Sequence, residues 1–108
     1  MNECENGMTM KDKAWFRNQS FLITGGSSGI GLEISRQLLI EGAKVIIVSN
    51  NPNEFSQARI ELIDSDQHFE FHNCDITNVE NRKVLRKELE SRRENLVGLI
   101  NCVGILTY

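Results

Sequence analysis

Thr24-Gly25-Gly26-Ser27-Ser28-Gly29-Ile30-Gly31 stands between the apolar run Phe21-Leu22-Ile23 and a helical pattern, and its reading decides the fold. A short continuous apolar run ending in glycines is the pattern of a strand buried on both faces. Beyond the glycines, Ile30, Ile34, Leu38 and Leu39 recur along residues 29–41 at spacings that mark one face of a helix, and Gly42 supplies a stop. Strand, glycine turn and helix in immediate succession open a βαβ unit.

The rest of the chain repeats that alternation. Val45-Ile46-Ile47-Val48 is a second buried-strand pattern, closed by Ser49, Asn50, Asn51 and Pro52. A helix over residues 53–63 follows, with Phe55, Ala58, Leu62 and Ile63 turned inward. Phe69 and Phe71 alternate with Glu70 and His72 in a weaker third strand leading to Cys74-Asp75-Ile76-Thr77. Thr77 or Asn78 caps a third helix that runs through Arg93, with Val79, Leu85 and Leu89 apolar among mixed charges. Leu96-Val97-Gly98-Leu99-Ile100 forms a fourth strand, ending in Asn101-Cys102-Val103-Gly104. Alternating strands and helices with right-handed crossovers predict an α/β, Rossmann-like three-layer fold with a parallel sheet in the order 3-2-1-4. Its crevice lies where the strand order reverses, and every motif singled out here falls on that edge. The domain is expected over residues 15–108, and residues 1–14, which lack sustained periodicity, as a flexible N-terminal tail.

Composition narrows the function. A chain of 108 residues with 40% apolar and 25% charged residues suits one globular domain. A net charge of −3 argues against nucleic acid, whose phosphates call for a concentrated basic surface. No apolar stretch approaches the ~20 residues that span a bilayer. Glu3 and Glu5 stand where a signal peptide would be basic, so a cytoplasmic protein is expected, without a membrane partner. Cys74 and Cys102 fall at strand ends with two strands between them, about 14 Å apart at the usual strand spacing. That exceeds the ~7 Å limit for a disulfide, so free thiols are expected. His68, His72 and Cys74 superficially resemble a metal set, but no carboxylate or cysteine pair completes it. The arginines and lysines of residues 82–93 interleave with Glu80, Glu88, Glu90 and Glu94 as a solvated helix surface.

The glycine loop carries the chemistry. Gly25 turns the chain sharply after the first strand, Gly29 lets backbone approach a pyrophosphate, and Gly31 lets the helix pack closely. The helix N-terminus, with Ile30 in its first turn, contributes N–H donors and a favourable dipole, and Ser27 and Ser28 add hydroxyls. A P-loop is excluded because no Lys-Ser or Lys-Thr follows the last glycine. The spacing Thr-Gly-x-x-x-Gly-Ile-Gly resembles that of the short-chain dehydrogenase/reductase family, as do Asp75-Ile76 after the third strand and Asn101-Cys102-Val103-Gly104 after the fourth. The resemblance covers about residues 15–108. It implies that Asp75 and Ile76 contact the adenine ring, and that the Asn101 loop, with Val103 and Gly104, lies along the adenosine ribose and stabilises the sheet. Cys102 and Val103 depart from the family's Asn-Ala, and the loop loses one polar group.

Cofactor choice is read at the end of the second strand, where an acid suits the 2′-hydroxyl of NAD and an arginine the 2′-phosphate of NADP. Ser49-Asn50 is neither, and the missing acid leans the reading to NADP. The resemblance implies a hydride transfer between NAD(P) and a small carbonyl or alcohol substrate, in a full-length protein that is a homo-oligomer. The family's catalytic Ser, Tyr and Lys would fall beyond residue 108, and Tyr108 is too close to the fourth strand to be that tyrosine. No catalytic residue is therefore assigned, and the chain alone is expected to be inactive. The alternative is a non-catalytic nucleotide-binding or interaction module. A sheet ending at its fourth strand would expose apolar surface, so the isolated chain is expected to be unstable or self-associating.

Overall fold

The computed structural model describes residues 16–63, 68–92 and 96–102. The expected N-terminal tail, Arg93, Val103, Gly104 and Tyr108 lie outside these described residues. The elements run β1 (Ser20–Thr24), α1 (Gly29–Ile40), β2 (Lys44–Ser49), a 3-10 turn (Pro52–Glu54), α2 (Phe55–Leu62), β3 (Phe69–Asn73), α3 (Val79–Ser91) and β4 (Leu96–Asn101). The four strands are parallel in the order β3-β2-β1-β4, with Leu22 opposite both Ile46 and Leu99. This is the Rossmann-like order expected from the sequence.

Two apolar clusters sit on opposite faces of the sheet. Ile23, Val45 and Ile47 pack with Leu39 of α1 and Leu62 of α2. Ile46, Val48 and Cys74 pack with Leu89 of α3. Right-handed crossovers demand this division: the chain moves one way along the sheet from β1 to β3, then reverses to reach β4, so α3 must cross on the other side. Gly42, at φ 91°, ends α1 in a left-handed conformation that favours glycine.

Several helix details differ from the sequence reading. The buried line of α1 is Gly31, Ser35 and Leu39, and Ile30 is 77% exposed. Ile30 lies about 100° round the helix from that line. Pro52 opens a 3-10 turn, so α2 starts at Phe55 and Ile63 is left exposed at its end. Val79, the first residue of α3, is likewise exposed, and that helix ends at Ser91 rather than Arg93. Asn78 is its cap: the side-chain oxygen accepts from the amide of Asn81 at 2.9 Å. His68 lies outside β3, so the histidine pair does not share a strand, and His72 faces Glu70 instead. Cys74 and Cys102 are free thiols beyond the ends of the two edge strands.

Arg92 ties the end of α3 to β3 by donating to both oxygens of Glu70, at 2.7 and 3.0 Å. These bonds, more than the charges of His72 and Lys44, hold the Glu70 carboxyl below its ordinary value of 4.5. A depressed folded-state pKa gives stability that is present above the unfolded value and lost as pH falls through the folded one. Arg92→Ala should therefore lower the melting temperature at neutral pH and flatten the loss of stability below about pH 4.5, a comparison made by thermal melts across acid pH.

The face of β1 and β4 beside α3 is open. Leu22, Leu85, Leu89 and Leu99 line a groove of about 480 Å³, and Leu99 is 68% exposed. Contiguous apolar surface of this kind favours association. Leu99→Glu should shift the chain toward monomer in sedimentation velocity while its melt remains cooperative.

Candidate functional site

The loops after β1, β2 and β3 and the end of β4 meet at the C-terminal edge of the sheet. The loop after β1 is anchored where the amide of Gly25 donates to the Val48 carbonyl at 2.8 Å. Gly25 (φ 72°) and Gly29 (φ 57°) take left-handed conformations that a side chain disfavours. Gly31 is required for a different reason, because a Cβ there would overlap the carbonyl oxygen of Gly25 and stand 3.0 Å from the Cα of Gly26. Gly26 is nearly as confined, with Ile23, Ile47 and the Ser35 hydroxyl each 3.1 Å from where its Cβ would be. The Ser35 hydroxyl donates to the Gly31 carbonyl at 2.8 Å, so the loop rests on small groups of α1.

That close seat leaves the start of α1 facing outward. Ser28 caps it with extended backbone and no side-chain bond, and a Cβ on Gly29 would meet no protein atom within 4 Å. The first amides of a helix without a capping side chain, beside open space and a neutral glycine loop, suit an anion such as a pyrophosphate. Ser28 is exposed, whereas Ser27 is buried and its hydroxyl donates to Glu54 Oε1 at 2.7 Å. Ser27 thus joins the glycine loop to the turn after β2.

At the end of β2, the Ser49 hydroxyl accepts from the Asn51 amide at 3.0 Å, and Asn50 is exposed. The Ser49 carbonyl accepts from the Cys74 amide at 3.0 Å, which brings the next loop alongside. There Asp75 Oδ1 accepts from both the hydroxyl and the amide of Thr77, at 2.6 and 3.0 Å, and these bonds hold its carboxyl below the ordinary range. Asn81 Oδ1 accepts from the Asp75 amide at 3.1 Å, and Arg82 donates to the Ile76 carbonyl at 2.6 Å. The first turn of α3 therefore fixes the Asp75-Ile76 loop. Burial, with the Asp75 charge second, pushes the Cys74 thiol up, so it stays protonated at neutral pH.

On β4, Asn101 Oδ1 accepts from the Thr24 hydroxyl at 2.7 Å, and the Thr24 carbonyl accepts from the Cys102 amide at 2.9 Å. The Cys102 side chain packs against the Ile23 and Ile47 cluster, so the departure from the family's second asparagine falls on an apolar contact. The structure thus gathers Gly25, Ser27, Ser28, Gly29, Ile30, Gly31, Ser49, Asn50, Asp75, Ile76 and Asn101 along one edge, while Val103 and Gly104 lie outside the described residues. The sequence reading missed the parts played by Thr24, Gly26, Glu54 and Asn81. Thr24 and Gly26 stood inside the quoted motif, and Asn81 stands three residues after its capping partner, a spacing that signals a helix start. Nothing local marks Glu54, whose partner lies 27 residues away.

Residues 19–108 match the family described as short chain dehydrogenase. Among curated relatives, an uncharacterized oxidoreductase, DltE, of Bacillus subtilis is 34% identical over 88 residues, covering 82% of this chain and 33% of the relative. A PIGF/3-ketodihydrosphingosine reductase fusion protein of Schizosaccharomyces pombe is 36% identical over 100 residues, covering 83% and 20%. The chain spans a third or less of the length of these two relatives. A short-chain type dehydrogenase/reductase from Mycobacterium ulcerans superposes with a TM-score of 0.75 at 29% identity, covering 85% of this chain and 34% of that one. A 4-hydroxyisoleucine dehydrogenase complexed with NADH gives 0.68 at 26% identity, covering 81% and 34%. A metagenomic short-chain oxidoreductase in complex with NADP gives 0.76 at 23% identity, a likeness of fold, covering 83% and 41%.

The contact at Gly31 yields a direct expectation. Gly31→Ala should destabilise by about 1–3 kcal/mol, lowering the melting temperature by roughly 10 °C, because the added methyl group must push α1 off the loop. Ser28→Ala, at an exposed position with no cap bond to lose, should leave the melt unchanged.

Proposed function

We infer the function from one premise: the chain belongs to the short-chain dehydrogenase family. On that premise, residues 15–108 are the NAD(P)-binding part of an oxidoreductase that moves hydride between a nicotinamide cofactor and a carbonyl or alcohol substrate. The observation that carries the reading is the outward-facing start of α1 behind Gly29, set on the same edge as Asp75 and Asn101.

Each residue then has a task. The amides of Gly29, Ile30 and Gly31 bind the pyrophosphate, with Gly25 shaping the turn and Ser28 offering a hydroxyl. Ser27, Ser49 and Asn50 border the adenosine ribose. Asp75 and Ile76 receive the adenine, and Thr77 and Arg82 hold those two in place. Asn101, oriented by Thr24, lies along the ribose with Val103 and Gly104. When bound, the dinucleotide supplies the hydride donor or acceptor. No residue of this chain is assigned a proton-transfer role, which falls to a Ser, a Tyr and a Lys in the part of the protein that carries the substrate site. That longer protein is read as a cytoplasmic homo-oligomer acting on a small molecule. Support for the cofactor class comes from the NADH and NADP held by the two related structures. Read from Ser49 and Asn50 alone, the choice leans to NADP.

NADH fluorescence titrated with the chain tests the reading. The wild-type chain should bind, and Gly29→Ala should weaken binding by more than tenfold, since its methyl group would fill the space left for the ligand. The left-handed backbone there costs about 1–2 kcal/mol with a side chain, so melts of the same variant separate lost binding from lost fold. A folded wild-type chain with no affinity for either NADH or NADPH would overturn the reading.

A further inference from the structure

We propose that Glu54, not the residues at the end of β2, sets the choice at the adenosine ribose, and that it favours the free 2′-hydroxyl of NAD over the 2′-phosphate of NADP. The proposal rests on the reading of residues 25–31 as the dinucleotide cradle. In a Rossmann unit the acid that accepts from the ribose hydroxyls stands near the end of the second strand. Here Ser49, Asn50 and Asn51 bring no carboxylate. The first acid past β2 is Glu54, and Pro52 turns the chain so that this side chain comes back onto the rim of the glycine loop. Its Oε1 sits 2.7 Å from the hydroxyl of buried Ser27.

Both ends of that bridge are fixed. The glycine loop is held by Gly25 on Val48, at 2.8 Å, and the turn by the Asn51 amide on Ser49, at 3.0 Å. The carboxylate therefore belongs to the loop and not to a wandering surface chain. Ser27 engages one oxygen, and among the described residues no hydrogen bond or ion pair engages Oε2, which leaves an acceptor for a sugar hydroxyl. Among the same residues no lysine or arginine pairs with Glu54. A 2′-phosphate would bring close to two further negative charges beside an uncompensated carboxylate, whereas a 2′-hydroxyl can donate to it. The acid missing from the end of β2 is thereby restored from five residues downstream of Ser49, and the lean to NADP reverses.

Calorimetric titration of the chain with NAD⁺ and NADP⁺, and with AMP and adenosine 2′,5′-bisphosphate as minimal probes, tests this in the wild type and in Glu54→Gln. The wild type should prefer the unphosphorylated member of each pair by about tenfold or more, a preference that shrinks with added salt. Glu54→Gln should bring the ratio toward one, chiefly by tightening the phosphorylated ligand. The proposal is overturned if the wild type prefers NADP⁺, or if Glu54→Gln leaves the ratio unchanged. It is equally overturned if Glu54→Gln weakens both ligands alike, which would make the Ser27 bond a simple latch. Binding in any of these cases leaves the dinucleotide reading standing. If a folded wild-type chain binds none of the four, that reading fails and takes the proposal with it.

Discussion

The contact between Gly31 and the carbonyl of Gly25 is the constraint on which the other features depend. With no side chain at position 31, the first turn of α1 lies directly on the loop that leaves β1. The Ser35 hydroxyl and the bare Gly26 complete that seat. Because α1 is pressed onto its own entry loop, its first amides are aimed away from the core and the loop cannot relax over them. The same closeness lets Leu39, two turns further along, reach Ile23 and Ile47 in the core. The outward aim of those amides and the core packing are thus both consequences of a single missing side chain.

From that seat the sheet order distributes the remaining parts. β2 pairs with β1, so its end is held beside the glycine loop, and the Val48 and Ser49 carbonyls receive the amides of Gly25 and Cys74. The reversal from β3 to β4 puts α3 on the opposite face and carries its capped first turn to the same edge. Three loops far apart in the chain are therefore joined by backbone hydrogen bonds, which do not depend on the identity of the side chains. Side-chain identity at Asp75, Asn101 and Glu54 is thereby left outside that backbone framework.

The strand order and both core clusters were legible because Val45-Ile46-Ile47-Val48 and its neighbours are continuous apolar runs that only a doubly covered strand tolerates. The glycine loop was legible for a similar reason, since its residue types are unusual and closely spaced. The helix faces were less so. In α1 the buried line begins with Gly31 and Ser35, which do not register as apolar, so the visible stripe began at exposed Ile30, while Ile34 packs at the margin of the core. Gly98 carried no signal of its own within the fourth-strand pattern, yet a Cβ there would lie 2.6 Å from the Phe21 ring, which makes the glycine a requirement of packing. Glu54 was illegible because its position depends on a 3-10 turn and a partner in a distant loop, and neither leaves a periodic trace.

The departures from the family pattern follow the same geometry. Along β4 the residues alternate between the two faces, and Asn101 lies on the side of Leu22 and Leu99 with its carbonyl oxygen bound to Thr24. Cys102 falls on the other side, among the apolar groups beneath α1 and α2, where a thiol packs as well as an amide would solvate poorly. Asn101 keeps its polar group on Thr24, and the Cys102 side chain, one of the two departures, is taken up by the core. Backbone alternation therefore separates the Cys102 substitution from the Thr24–Asn101 bond.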